Sequence, residues 1–414
     1  MKRMTTITAC ILAFATILTG CGKNLDDNEE VKLEDPVDIQ LTKAETEMAS
    51  DVNQFGFRLF SDIHGQTPDK DMMMSPLSIS LALSMTATGS DGATAEEMTR
   101  VLGFDGSSVE EMDQFYFKML DGLSKADKSV TLEVANSIWT ARGLKVLDSF
   151  IKDCGKWFNS EVYPDIDFGA SSTPGRINKW CSDKTHGKID KVVDNPDPTV
   201  MMMLINALYF NGKWGVTFPD VAKRTFHGAK GDVNMDFMQG TVRVPYCKDT
   251  KTFEAVSLPY GNGAFRMAVI KPMKGCTVGE ALNGIASDWT YYVSSLKYDS
   301  GDVRFRMPEF KVEYSKNITD DLQKMGMVNA FSDCADFSKM TEPEQPLKIS
   351  EVNHKTFIDV NHKGTEAAAV TTVTMKLTSA GPGAPIREFY VDDPFAYVIY
   401  EQSTGAVLFI GTKN

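Results

Sequence analysis

Between Thr365 and Thr378 the chain reads Thr-Glu-Ala-Ala-Ala-Val-Thr-Thr-Val-Thr-Met-Lys-Leu-Thr, without a proline or a glycine. Five of these fourteen residues are threonine and two are valine, stiff side chains that favour extended backbone. Connections of this length without structure of their own are uncommon unless they are functional. On both sides the sequence reads as buried strand, with Phe357, Ile358 and Val360 before it and Phe395, Tyr397, Val398, Ile399 and Tyr400 after it. The stretch is therefore a strand-competent insertion between two core strands, held where something can reach it. An ordinary edge strand ending in a turn at Gly381-Pro382-Gly383 is the simpler alternative.

Alternation separates its two faces. One carries Thr365, Ala367, Ala369, Thr371, Val373 and Met375, all small or medium and uncharged. The other carries Glu366, Ala368, Val370, Thr372, Thr374 and Lys376, and so both charges. A strand that must enter the middle of an existing sheet has this character. The alanines at its leading end let neighbouring strands part at little steric cost.

The segment Val360-Asn361-His362-Lys363-Gly364-Thr365-Glu366-Ala367-Ala368-Ala369 resembles the hinge of a serpin reactive-centre loop. The resemblance covers roughly residues 45–414. Ser75-Pro76-Leu77-Ser78-Ile79, Asn206-Ala207-Leu208-Tyr209-Phe210 followed by Gly212-Lys213-Trp214, and Leu258-Pro259-Tyr260 occur in serpin order. So do Met307-Pro308 with Phe310, Val352-Asn353-His354-Lys355 and Asp393-Pro394-Phe395. The resemblance implies an α+β serpin fold of three β-sheets and about nine helices, with an exposed reactive-centre loop at about 362–393. It also implies a protease inhibitor rather than an enzyme. A serine protease, or a cysteine protease, would cleave the loop, form an acyl-enzyme and be trapped as the loop's N-terminal part enters the central sheet.

Further roles come with the resemblance. Gly364, Thr365, Glu366, Ala367, Ala368 and Ala369 form the hinge. Ser75, Ser78, Asn206 and His354 fall where serpins carry a hydrogen-bonded shutter beneath the opening of the sheet, and Trp214 falls where the loop enters it. Two features depart from the family. Most serpins have a lysine after Met-Pro, paired with a glutamate two residues before the hinge glycine; here these positions hold Glu309 and His362. We expect Glu309 and His362 to pair at the point where the loop enters, and the pair to weaken as the histidine loses its charge. The second departure is length. Counting forward from Gly364 puts the reactive bond at Thr378-Ser379, whereas counting back from Pro394 gives Gly383-Ala384. The forward count is preferred, because the length before the bond sets how far the protease is pulled. Thr378 suits an elastase- or subtilisin-like pocket; Lys376-Leu377, the alternative, suits a trypsin-like one.

The N-terminus supplies a destination. Lys2 and Arg3 precede an apolar stretch centred on Ile11 to Ile17, a secretory signal over 1–20. Leu18-Thr19-Gly20-Cys21 resembles a bacterial lipobox, which implies lipid on Cys21 and attachment to a membrane. Gly22 is not an inner-membrane retention signal, so the outer membrane, with the body facing outward, is expected. Residues 21–42 are polar and acidic and read as a flexible tether, leaving 43–414 as the folded domain.

Composition excludes other classes. The 414 residues carry a net charge of -13, which argues against nucleic acid as a partner. Cys154, Cys181, Cys247, Cys276 and Cys334 are odd in number and widely spaced, so they read as free thiols. No metal-ligand spacing is present, and no cofactor is expected. A catalytic constellation is likewise missing, and Gly261-Asn262-Gly263 reads as a turn. The chain is expected to be a monomer. The competing function is a non-inhibitory serpin acting as a carrier. Its hinge would bear bulky, charged or proline residues on the insertion face, unlike Thr365, Ala367 and Ala369.

Local signals fill in the body. Met48, Val52, Phe55, Leu59 and Ile63 recur at helical spacing. Ser75-Pro76 caps a helix running to Thr88, and Thr94-Ala95-Glu96-Glu97 reads as a capping box. Val130, Leu132 and Val134 alternate as a strand, Met201 to Phe210 reads as a central covered strand, and Asn211-Gly212 as a hairpin turn.

Overall fold

A computed structural model describes residues 33–249, 251–297, 301–342, 347–365 and 386–414. The chain begins with helices: α1 (Lys43–Gln66), the short β1 (Met72–Met74), α2 (Pro76–Ala87), α3 (Gly92–Val101) and α4 (Val109–Ala126). β2 (Thr131–Ala141), α5 (Asp148–Phe158), β3 (Glu161–Ile166) and α6 (Thr173–Lys184) follow. Then come β4 (Met202–Lys213), β5 (Asp220–Gly228), β6 (Gly231–Arg243), β7 (Tyr246–Lys248), β8 (Phe253–Pro259) and β9 (Phe265–Pro272). α7 (Val278–Ala286) and α8 (Trp289–Ser295) lead to β10 (Asp302–Pro308), β11 (Phe310–Asn317) and α9 (Thr319–Lys324). The chain closes with β12 (Asn353–Asn361), β13 (Gly364–Thr365), β14 (Arg387–Tyr390), β15 (Phe395–Glu401) and β16 (Val407–Lys413). Three sheets result, ordered β11-β12-β13-β4-β2-β3, β14-β10-β6-β5 and β1-β16-β15-β9-β8-β7. The α+β class, with nine helices and three sheets among the described residues, is as expected.

Sequence explains most of these elements locally. Thr42 and Glu45 close a reciprocal capping box at the start of α1, whose Val52, Phe55, Leu59 and Ile63 are buried. α2 is buried at every residue but Ala82. A helix apolar all round belongs inside, and it packs between β4 of one sheet and β16 of another. β15 is buried at all seven positions. Of the five described cysteines none forms a disulfide; Cys154 and Cys181 are buried, Cys247 and Cys276 half-buried and Cys334 exposed.

Three local expectations are corrected by tertiary contacts. α3 opens at Gly92, and Thr94 lies inside it. Its hydroxyl accepts from the Asp336 amide at 2.9 Å, while Glu97 accepts from the Val328 and Asn329 amides. Asn211 and Gly212 do not turn but continue β4, because the ring of Tyr260 lies where a side chain on Gly212 would be. Residues 33–42 belong to the ordered body rather than to the tether. Val37 donates to the carbonyl of Ala126 at 3.1 Å, and Ile39 donates to Ser403 at 2.9 Å. The Ile39 side chain fills the notch over Gly122.

Candidate functional site at the parted sheet

Among the described residues, β4 and β12 of the first sheet do not pair with each other; the facing edge of each pairs with β13 between them. β4 is paired with β2 from Met202 opposite Thr140 to Asn211 opposite Thr131. β12 is paired with β11 from Asn353 opposite Asn317 to Val360 opposite Phe310. Among the described residues only β13 stands between them: Thr365 pairs with Val360 and Gly212, Gly364 with Asn361 and Lys213. Among the described residues no other strand pairs with the facing edges of β4 and β12. β13 is antiparallel to both neighbours, so a longer strand in the slot would be too. Leu208 and Phe210 from β4, Phe357 and Ile358 from β12, and Thr365 line a small cavity below β13. Its volume of about 10 Å³ is scarcely room for one water. Thr185, Lys188 and Ile189 of the segment after α6 also line it, as do Tyr209, Ile399 and Phe409, and Lys355 donates to the carbonyl of Lys191 at 3.1 Å.

At the top of the slot the backbone is held closely. Gly364 adopts φ 146°, and a Cβ there would lie 2.2 Å from the Gly212 carbonyl oxygen. Only glycine fits. Thr365 points inward; it is 2 % exposed, and its hydroxyl lies 2.6 Å from that of Tyr260. Burial pushes the Tyr260 phenol well above its usual pKa. Tyr260 stacks on Trp214 at 4.4 Å. The Trp214 indole donates to the Asn361 carbonyl at 2.8 Å, and its amide to that of Lys363 at 3.1 Å. Trp214 thus ties the end of β4 to the turn that starts the loop.

Glu309 and His362 are brought together as their positions suggested. Glu309 Oε1 accepts from the His362 amide at 2.9 Å and lies 2.6 Å from Nδ1. Against a carboxylate oxygen, Nδ1 is the donor of that contact when it carries a proton.

Below the slot, Ser75, Ser78, Asn206 and His354 meet around the first turn of α2. Ser75 caps the helix, its hydroxyl accepting from the Ser78 amide at 3.1 Å. The Ser75 amide donates to Nε2 of His354 on β12 at 3.1 Å. The Ser78 hydroxyl donates to the side-chain oxygen of Asn206 on β4. The strands on the two sides of the slot are thus tied to one helix terminus rather than to each other. His354 is 6 % exposed, and burial lowers its pKa to about 4, so the ring is neutral and Nε2 is free to accept. Asn136 on β2, missed in the sequence, extends the chain of bonds: it accepts from Asn206 Nδ2 at 2.8 Å and donates to the Phe158 carbonyl at 2.8 Å. The signal was an asparagine interrupting the alternation that begins at Val130. Tyr260 was quoted in a motif, but nothing local marked it as the partner of Thr365. Glu366, Ala367, Ala368, Ala369, Lys376, Leu377, Thr378, Ser379 and Cys21 lie outside the described residues.

Comparison with known proteins agrees with this arrangement. Residues 50–414 match the family Serpin (serine protease inhibitor). Intracellular coagulation inhibitor 2 of Tachypleus tridentatus is 33% identical over 87% of this chain and 89% of its own. An uncharacterised serpin-like protein of Thermococcus kodakarensis is 30% identical over 90% and 87%. The native-state crystal structure of the thermophilic serpin tengpin superposes with a TM-score of 0.78 at 29% identity, covering 93% of this chain and 97% of that one. The chain belongs to the serpin family of serine protease inhibitors, not to a family of enzymes.

Proposed function

We propose that this protein inhibits a serine protease as a suicide substrate, with its cleaved loop entering the slot between β4 and β12. The observation that carries this reading is β13, a two-residue strand already seated between them. If its register continues, Thr371 comes level with Asn206 on one side and His354 on the other. Residue 375 then comes level with Met202, where β4 begins. The strand-like segment is thus about as long as the slot. The buried orientation of Thr365 supports insertion of the uncharged face that carries Ala367, Ala369, Thr371 and Val373. Strand addition of this kind contributes a ladder of main-chain hydrogen bonds, and a state lacking it is held by a barrier rather than by equilibrium.

The reactive bond in this reading is Thr378-Ser379, with Lys376-Leu377 second, and the target is an elastase- or subtilisin-like protease. The inhibitor acts as a monomer, exported and anchored through lipid on Cys21, at the outer membrane and facing outward. Incubation with pancreatic elastase, followed by a denaturing gel and mass spectrometry, tests the mechanism. A band heavier than the inhibitor, together with a released peptide beginning at Ser379, is expected. Quantitative nicking without that band overturns trapping and favours the carrier reading.

A further inference from the structure

Tyr260, whose hydroxyl meets that of Thr365 at the top of the slot, belongs to the turn that joins β8 to β9. The end of β4 is stitched to this turn through the backbone. The Gly261 amide donates to the Lys213 carbonyl at 2.8 Å, and the Gly215 amide donates to that of Pro259 at 2.7 Å. Whatever fixes residues 259–263 therefore fixes the Tyr260 ring and, through it, the seat of Thr365.

Asp127, between α4 and β2, is what holds the turn. It is 5 % exposed, and both of its oxygens are occupied. Oδ1 accepts from the Ser129 amide at 2.7 Å and from the Ser129 hydroxyl at 2.6 Å. That is the local turn an aspartate makes with the residue two places on, and it needs only one oxygen. Oδ2 reaches 135 residues along the chain and accepts from the Asn262 amide at 2.8 Å. Gly261 has φ 45°, and a Cβ there would lie 2.2 Å from Oδ2, so only glycine lets the turn come this close. The Asn262 side chain closes the joint from its own side. Its Oδ1 accepts from the Ala264 amide at 3.0 Å, and its Nδ2 donates to the Ala126 carbonyl at 3.4 Å.

We propose that Asp127 is a positioning residue for the loop hinge, acting through the turn at 260–263 and the Tyr260 ring. Thr365 of the uncut protein stays seated only while the ring stands where Asp127 holds it. The consequence for inhibition rests on the loop insertion proposed above. A strand that starts from two seated residues grows one pair at a time, whereas an unseated one must first form that start. The delay leaves the acyl-enzyme exposed to water for longer, and hydrolysis then releases a nicked inhibitor in place of a trapped complex.

Hydrogen exchange of the intact, uncut protein, read by mass spectrometry, tests the positioning. Asp127→Ala should speed exchange in the peptides covering 211–215 and 358–365 by about tenfold and leave β15 unchanged. Ser129→Ala, which removes a donor from Oδ1 alone, should change neither peptide. Tyr260→Phe should also free the hinge, and adding Asp127→Ala to it should bring little further rise, because both act along one line. If Asp127→Ala does not fold, Asn262→Asp opens the same joint by turning an oxygen toward the Ala126 carbonyl, and the same rise is expected. Unchanged hinge exchange in a folded variant, a rise that β15 shares, or full additivity with Tyr260→Phe overturns the proposal. No protease enters these measurements, so their failure leaves the trapping mechanism standing. In a second arm, with elastase, Asp127→Ala should lower the ratio of protease complex to nicked inhibitor by about twofold. An unchanged ratio in a variant whose hinge exchanges faster overturns the link to trapping.

Discussion

Protonating His354 should loosen the parted sheet, and the structure sets both the sign and the size of the effect. Its Nε2 accepts the Ser75 amide at 3.1 Å, and burial lowers its pKa from 6.5 to about 4. The unfolded chain therefore takes up this proton near pH 6.5, and the folded one only near pH 4. Stability from the neutral ring is fully present above pH 6.5, is lost as pH falls through this window, and falls no further below it. A difference of about 2.5 units corresponds to about 3 kcal/mol, a large part of a typical domain's stability. Protonation also places an N–H against the Ser75 N–H and so cuts the tie between β12 and α2. If all of that cost is relieved on the way to an open sheet, conversion of the uncut protein to an inactive form would speed up by about 100-fold between pH 7 and pH 4. The assay is urea unfolding followed by tryptophan fluorescence at a series of pH values and constant salt, with native gels for spontaneous conversion. His354→Gln should flatten the curve by about 3 kcal/mol. The burial-lowered pKa of His64 acts in the same direction, but it is common to both proteins and cancels. Parallel curves for wild type and His354→Gln between pH 4 and pH 7 would refute the reasoning.

Three further outcomes follow from particular contacts. Thr365→Arg cannot bury its guanidinium beside Tyr260, so elastase should nick this variant without forming the heavy complex; a normal yield of complex would show that Thr365 need not enter. Gly364→Ala forces a Cβ to within 2.2 Å of the Gly212 carbonyl and should cost about 1–3 kcal/mol, read from the denaturant midpoint. Asp113, 3 % exposed with Thr88 donating to its carboxyl group, has its pKa raised by burial to about 8. The fold therefore holds a proton that the unfolded chain releases near pH 3.8, so stability should decline as pH rises from about 4 to 8. Asp113→Asn should abolish this decline.

Features whose cause lies within a few residues could be read before the fold was known. Ser75-Pro76 capped α2 because the cap, the proline and the helix it starts are neighbours in sequence. Met201 to Phe210 stood out as a covered strand because its run of apolar side chains shows no polar alternation, although Met201 lies exposed just before β4 begins. Asn211-Gly212 was misread for the same reason: the pair suits a turn, and what overrides it, the ring of Tyr260, lies far along the chain. Thr94 likewise had a local role on offer and was taken by Asp336 instead. Tyr260 and Asn136 carried no local sign of their bonds to Thr365 and Asn206.

The alternation from Thr365 to Met375 already divided that segment into an uncharged face and a charged one, since side-chain direction along a strand follows from the chain alone. That Thr365 itself turns inward was decided by its meeting the Tyr260 hydroxyl. That contact exists because β13 pairs with Gly212 on one side and Val360 on the other, and register between distant strands is a property of the assembled sheet. Ser75, Ser78, Asn206 and His354 could be grouped from their motifs. That they bind the two edges of the slot to one helix end, and not to each other, depends on the space left between β4 and β12, which no stretch of sequence contains.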